Sequence, residues 1–133
     1  MRMWMITPKC MCRKHLLGEH GEIHKHRHNF EKKHSINGRI FPIVQIEPRS
    51  MKHRHDVLAK EMLARGYNHK SPYEQPDISY LPHNIQYAFV NGCQSIEELR
   101  RRCPDCRNKI RELNINLMLK WCPSRLIHSI RFE

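Results

Sequence analysis

Leu16, Ile23 and Phe30 recur every seven residues through 13–34, a stretch that is otherwise rich in charge and contains no proline. That spacing draws a narrow apolar stripe along a helix and leaves the rest of its surface polar. Ser35 to Gly38 (SING) ends the pattern, with Asn37-Gly38 a turn dipeptide. Residues 39–48 (RIFPIVQIEP) are short and β-branched, but Pro42 and Pro48 argue against a central strand and predict an extended connector. Met51, Leu58 and Met62 line one face of a second helix over 50–65, and Gly66 stands where a C-terminal cap belongs. Residues 70–92 carry Pro72, Pro76 and Pro82 among Tyr73, Tyr80, Tyr87 and Phe89. They predict a long ordered loop whose aromatics pack over the helices, with stacking on nucleic-acid bases as the alternative.

A third helical region starts at Ser95, where Glu98 three residues on completes a capping-box pattern. Ile96, Leu99, Cys103, Cys106, Ile110, Leu113 and Leu117 then follow a three-four spacing. Pro104 interrupts it, which predicts a kink or two helices, the second starting near Pro104. Residues 118–133 give no clear pattern. The whole reads as all-α: a compact single domain over 1–133, with about three main helices joined by extended connectors.

Composition adds a partner. Across 133 residues, 24 Lys plus Arg against 13 Asp plus Glu leave a formal charge of +11, and 11 histidines add to it at lower pH. Such an excess points to an anionic partner, DNA or RNA first. No stretch approaches the ~20 apolar residues that span a bilayer, and the opening MRMWMITPK lacks the apolar core of a signal peptide. The expectation is an intracellular protein that avoids membranes. Its six cysteines are then free thiols, metal ligands or small core residues rather than disulfides.

Three chemistries compete. Cys103 and Cys106 have C-x2-C spacing, and Cys93 and Cys122 would complete a four-thiolate zinc site. Against that, Cys103 and Cys106 fall on an apolar stripe, where a reduced cysteine is a good small hydrophobe. Cys10, Cys12 and His15 form a second, weaker cluster. His20, His24 and His28 share a helix face, as a metal-dependent nuclease would require. The order His20-Gly-Glu-Ile-His24 is not that of a zincin, though, and a phosphate-facing basic surface with Lys25, Arg27 and Lys33 fits better. The third chemistry is that of an amine. An α-amine near pKa ~7.7–8.0 is closer to neutral at working pH than a lysine near ~10.4. Arg2 beside the Met1 amine lowers it further by charge repulsion. His15, Glu19 and Glu22 lie on one face of the first helix, where carboxylates can act as proton shuttles. Composition alone does not single this out.

A resemblance does. MRMWMITPKCMCRKHLLGEHGEIH, KKHSINGR and RHDVLAKEMLARGYNHKSP, in that order from the start, resemble the pyrimidine-dimer DNA glycosylase family of the phage endonuclease V type. SIEELRRRCPDC looks like the C-terminal part of its bacterial and phage relatives. The resemblance covers most of residues 1–112. It implies a small, mostly helical, single-domain protein that bends damaged double-stranded DNA at a cyclobutane dimer. It further implies cleavage of the glycosidic bond of the 5′ pyrimidine through an imine on the N-terminal α-amine. β-Elimination follows, with no metal or other cofactor.

Mapped onto this chain, the essential Glu of the family is Glu22, and His15 and Glu19 occupy preceding positions on the same face. Arg2 matches the basic residue beside the nucleophile, and Lys25 matches a phosphate-contacting Arg. Arg27 and Lys33 extend the DNA-binding set. Met1 falls where the processed relatives begin, and the bulk of Arg2 should keep Met1 in place, so its own amine would be the nucleophile. The family Arg before the essential Glu is Gly21 here. The aromatic tail of the phage prototype is replaced by LMLKWCPSRLIHSIRFE, so 113–133 reads as a divergent extension. The expected function is a monomeric DNA repair glycosylase with abasic-site lyase activity on pyrimidine dimers. The alternatives are a zinc-stabilised, non-catalytic nucleic-acid-binding protein and the histidine nuclease.

Overall fold

The computed structural model describes residues 2–113; Met1 and residues 114–133 lie outside that range, and so do Leu117, Trp121 and Cys122. The described residues are all-α, with no strand among them. The helices are α1 (Arg13–Glu31), α2 (Met51–Ala64), α3 (His83–Gln86), α4 (Gly92–Arg102) and α5 (Pro104–Glu112). Short 3-10 turns at Pro8–Cys10, Asn37–Arg39 and Pro48–Ser50 punctuate the connectors.

The stripe on α1 is wider than its apolar members suggest. Its buried residues are Leu16, Glu19, Ile23, His26 and Phe30, a complete three-four seam in which two positions are polar. Helix α2 buries Met51, Arg54, His55, Leu58, Ala59 and Met62 and packs directly against α1. It stops where Gly66 takes φ +83°. The Gly66 amide donates to Leu63 and the Tyr67 amide to Met62, the paired bonds of a Schellman cap.

The third helical region divides at Pro104, as the sequence implies, into α4 and α5, which pack on each other. Its start differs from the capping-box expectation. Helix α4 begins at Gly92, because the Asn91 side chain accepts from the Gln94 amide and caps four residues earlier than Ser95 would. Ile96, Leu99, Cys106 and Ile110 are buried as the spacing requires, whereas Leu113 is exposed.

The loop 70–92 is irregular except for the single turn of α3. Its aromatics differ in burial. Tyr73 is buried, and its hydroxyl donates to the Ile23 carbonyl, while Tyr87 and Phe89 stay exposed. The entry segment is not peripheral: Met3, Met5 and Ile6 are wholly buried, and the Met3 amide donates to Gln45 in the 39–48 connector. Among the cysteines, Cys10, Cys12, Cys103 and Cys106 are free, but Cys93 is disulfide-bonded, against the expectation of thiols throughout. No helix among the described residues is long and apolar enough to cross a membrane.

Candidate active site

A cavity of about 280 Å³ opens where the entry segment meets the first half of α1 and the end of α4. Arg2 and Trp4 line it from the entry segment, Lys14, His15, Gly18, Glu19 and Glu22 from α1, and Arg102 from α4. Glu22, His15 and Glu19 share its wall because seven and three residues bring side chains back to one helix face.

The two carboxylates differ in surroundings. Glu19 is buried and fully engaged. Wholly buried Arg54 grips it with two bonds, Nε to Oε2 at 2.5 Å and Nη2 to Oε1 at 3.0 Å, and the Trp4 amide donates to Oε1 at 3.1 Å. Glu22 is half-buried, and its Oε2 is shielded from solvent with no hydrogen-bond partner among the described residues. Arg54 answers Glu19, and Glu22 shares the cavity lining with Arg2, Lys14 and Arg102.

Arg2 is itself held. Its guanidinium donates to Ser95 Oγ at 2.8 Å, pairs with Glu98 at 3.5 Å and stacks 4.9 Å over Trp4. Burial pulls its pKa below the ordinary arginine value, partly offset by Glu98 and Glu19. Arg2 therefore fixes the start of the chain to α4 at the cavity wall. His15 turns Nδ1 toward the sulfurs of Cys12 and Cys106 and meets Trp4 edge to face. Burial, then Lys14 and Arg102, lowers its pKa below the ordinary histidine value.

The other expected contacts lie along the exposed side of α1. Lys25 is exposed and free of any ion pair among the described residues. Arg27 is committed to Glu31 and to the Glu74 carbonyl, so it offers less to a phosphate. Lys33 is exposed, takes φ +55° just past the helix and lies 5.5 Å over the Tyr80 ring. A second cavity of about 370 Å³ is walled by Arg100, Arg101, Arg107, Arg111 and Glu97 on α4 and α5, and adds an arginine surface suited to phosphate.

The histidines divide into two sets. His20 and His24 of α1 meet His55 of α2 and His69 of the following loop, with ring centroids 4.7–5.2 Å apart, and Tyr73 covers the group. His28 is elsewhere, packed on His34. Burial, then the neighbouring imidazoles, pushes His20 down to about 4, and burial lowers His24. His20, His24 and His55 offer nitrogens within 4.8 Å of one another. At 100° per residue, however, His20 and His24 lie roughly 160° round α1 from Glu22. The cluster and the cavity are therefore separate places.

Sequence reasoning missed Arg54, His55, His69 and Arg102. Arg54 had a readable signal: it stands three residues after Met51 and four before Leu58, so a charge on the buried stripe demanded a buried counter-charge. Of the four proposed thiolates, Cys103 and Cys106 do come together. Cys93, already in a disulfide, has no thiolate to offer, and Cys122 lies outside the described residues.

Residues 1–75, more than half of the chain, match the family described as pyrimidine dimer DNA glycosylase. No curated protein and no solved structure matches the chain.

Proposed function

Because the chain belongs to the pyrimidine dimer DNA glycosylase family, we propose that the cavity beside Glu22 excises UV-induced pyrimidine dimers from double-stranded DNA and then acts as an abasic-site lyase. The observation that carries this reading is the unpartnered, shielded Oε2 of Glu22 in a cavity walled by Arg2, the residue next to the Met1 α-amine.

The amine nitrogen of Met1 attacks sugar C1′. The glycosidic C–N bond breaks with its electron pair to the departing pyrimidine, which stays tethered through the dimer. The Glu22 carboxylate stabilises the positive charge that grows on the sugar, then moves protons as the ring opens to the imine. Loss of a C2′ proton expels the 3′ phosphate, and water releases the chain from the imine. Glu19 serves as a positioning residue: its bonds to Arg54 and to the Trp4 amide hold the entry segment against α1. Lys14 and Arg102 around the cavity, with Lys25 and Lys33 beyond it, contact phosphates and position the duplex, while Arg2 and Arg27, already engaged by Glu98 and Glu31, contribute less. A dimer already weakens stacking, so exposing the target nucleotide costs less than in intact DNA.

The test is Glu22→Gln on a duplex carrying one thymine dimer. Strand cleavage should fall by about 10²–10⁴-fold while duplex binding stays near wild type. Cleavage at the wild-type rate removes Glu22 from the mechanism.

A further inference from the structure

Cys12 and His15 at the start of α1 meet Cys103 and Cys106 at the start of α5, across more than ninety residues of chain. We infer that these four side chains form a closed tetrahedral zinc site that staples the N-terminal half of the cavity to the α4–α5 hairpin.

The geometry carries it. With Zn–S of ~2.3 Å and Zn–N of ~2.0–2.1 Å, a tetrahedral zinc sets two sulfurs ~3.8 Å apart and a sulfur and nitrogen ~3.6 Å apart. Here Cys12 Sγ lies 3.8 Å from Cys103 Sγ. His15 Nδ1 lies 3.2 Å from Cys12 Sγ and 3.5 Å from Cys106 Sγ. All four donor atoms fall within 4.8 Å of one another. A network of reduced thiols would leave His15 Nδ1 shared between two sulfurs, a poorer use of its single lone pair than one metal bond. A shared cation satisfies all four.

Backbone amides donate to two of the four ligand atoms. The Cys12 amide donates to Cys106 Sγ at 3.2 Å, and the Cys106 amide to Cys103 Sγ at 3.5 Å. Cys103 is the N-cap of α5, where the helix end favours negative charge. Pro104 at the first helical position sets the turn that brings Cys103 and Cys106 together. Three thiolates, a neutral imidazole and a dication carry one net negative charge, and cationic Lys14 and Arg102 line the same cavity as His15. Four protein ligands leave no open position, so the ion is structural and takes no part in base excision. Its effect on the cavity is indirect: ligation through Nδ1 orients the His15 ring that forms part of the wall.

The site is independent of the glycosylase reading, and so is its test. Untagged protein, purified without chelator, should contain one zinc per chain by plasma mass spectrometry, and Cys106→Ser should lose it. In case that variant does not fold, wild type reconstituted with cobalt(II) gives a second reading. Its visible bands should be those of a tetrahedral ion, and its thiolate-to-metal band should have the intensity of three sulfurs. His15→Cys should keep the metal and raise that band by about one third, from three thiolates to four. Stripping the metal should lower Tm by on the order of 10 °C or more. Reduced, folded protein that takes up neither zinc nor cobalt overturns the site. So does a cobalt band of one or two thiolates, or a Cys12–Cys103 disulfide in metal-free protein as purified.

Discussion

Arg54 and Glu19 form a fully buried, two-bonded ion pair that joins α2 to α1, and both partners also hold the entry segment. Glu19 accepts from the Trp4 amide, and Arg54 Nη1 donates to the Ile6 carbonyl at 2.6 Å. A buried pair is weak as a net source of stability, but removing one partner strands the other charge. Glu19→Gln should therefore lower unfolding stability by about 3–5 kcal/mol in urea titrations. The Glu19→Gln/Arg54→Met double variant should lose clearly less than the sum of the two single losses. Additive losses would show that the two side chains do not act as a pair.

His26 gives the fold a pH dependence. It is buried in the α1 seam, its Nδ1 faces Asn29 at 3.4 Å, and its Nε2 has no partner among the described residues. Burial, then Arg39 and Lys25, pushes its pKa down to about 4. The unfolded chain titrates near 6.5, so between these values it binds more protons than the folded state. Stability should be full above pH ~6.5, fall as the pH drops toward ~4, and flatten below. The contribution of His26 is about 3 kcal/mol. His20, pushed the same way, adds to the slope. His26→Gln should reduce the pH dependence of the urea midpoint, and an unchanged slope would remove His26 as its source.

Duplex binding should weaken steeply with salt, and two residues of α1 should differ in their share. Exposed Lys25 is open to a phosphate, whereas Arg27 is tied to Glu31 and Glu74. Each neutralised phosphate contributes ~0.9 to the slope of log K against log salt. Lys25→Ala should reduce that slope by about one unit and Arg27→Ala by much less. Titrations by fluorescence anisotropy at several salt concentrations measure both, and equal losses would contradict the assignment.

Much of the fold was legible in the sequence. Apolar periodicity located α1 and α2, Gly66 marked the stop of α2, and Pro104 divided α4 from α5. Local patterns fix such features, since a cap or a proline acts within a turn of itself. The start of α4 was misplaced because Asn91 competed with Ser95 for the cap. The site was legible in part. Glu22, Glu19 and His15 share a face by helix geometry alone. That Glu19 is consumed by Arg54 while Glu22 Oε2 has no partner among the described residues depends on how α2 packs across α1, and no local spacing reports that. The cysteines show the same limit. Cys12 with His15, and Cys103 with Cys106, were visible as separate halves, and only the tertiary fold joins them.

Borohydride trapping tests the central claim most directly. Untagged protein with its native N-terminus would be mixed, in EDTA, with a duplex carrying one thymine dimer or one abasic site, and the adduct located by mass spectrometry. The account predicts a covalent complex on both duplexes, with the cross-link on the α-amine of Met1. Absence of an adduct on either duplex, with the amine shown to be free, would contradict the account, as would chelator-sensitive cleavage that survives a blocked amine.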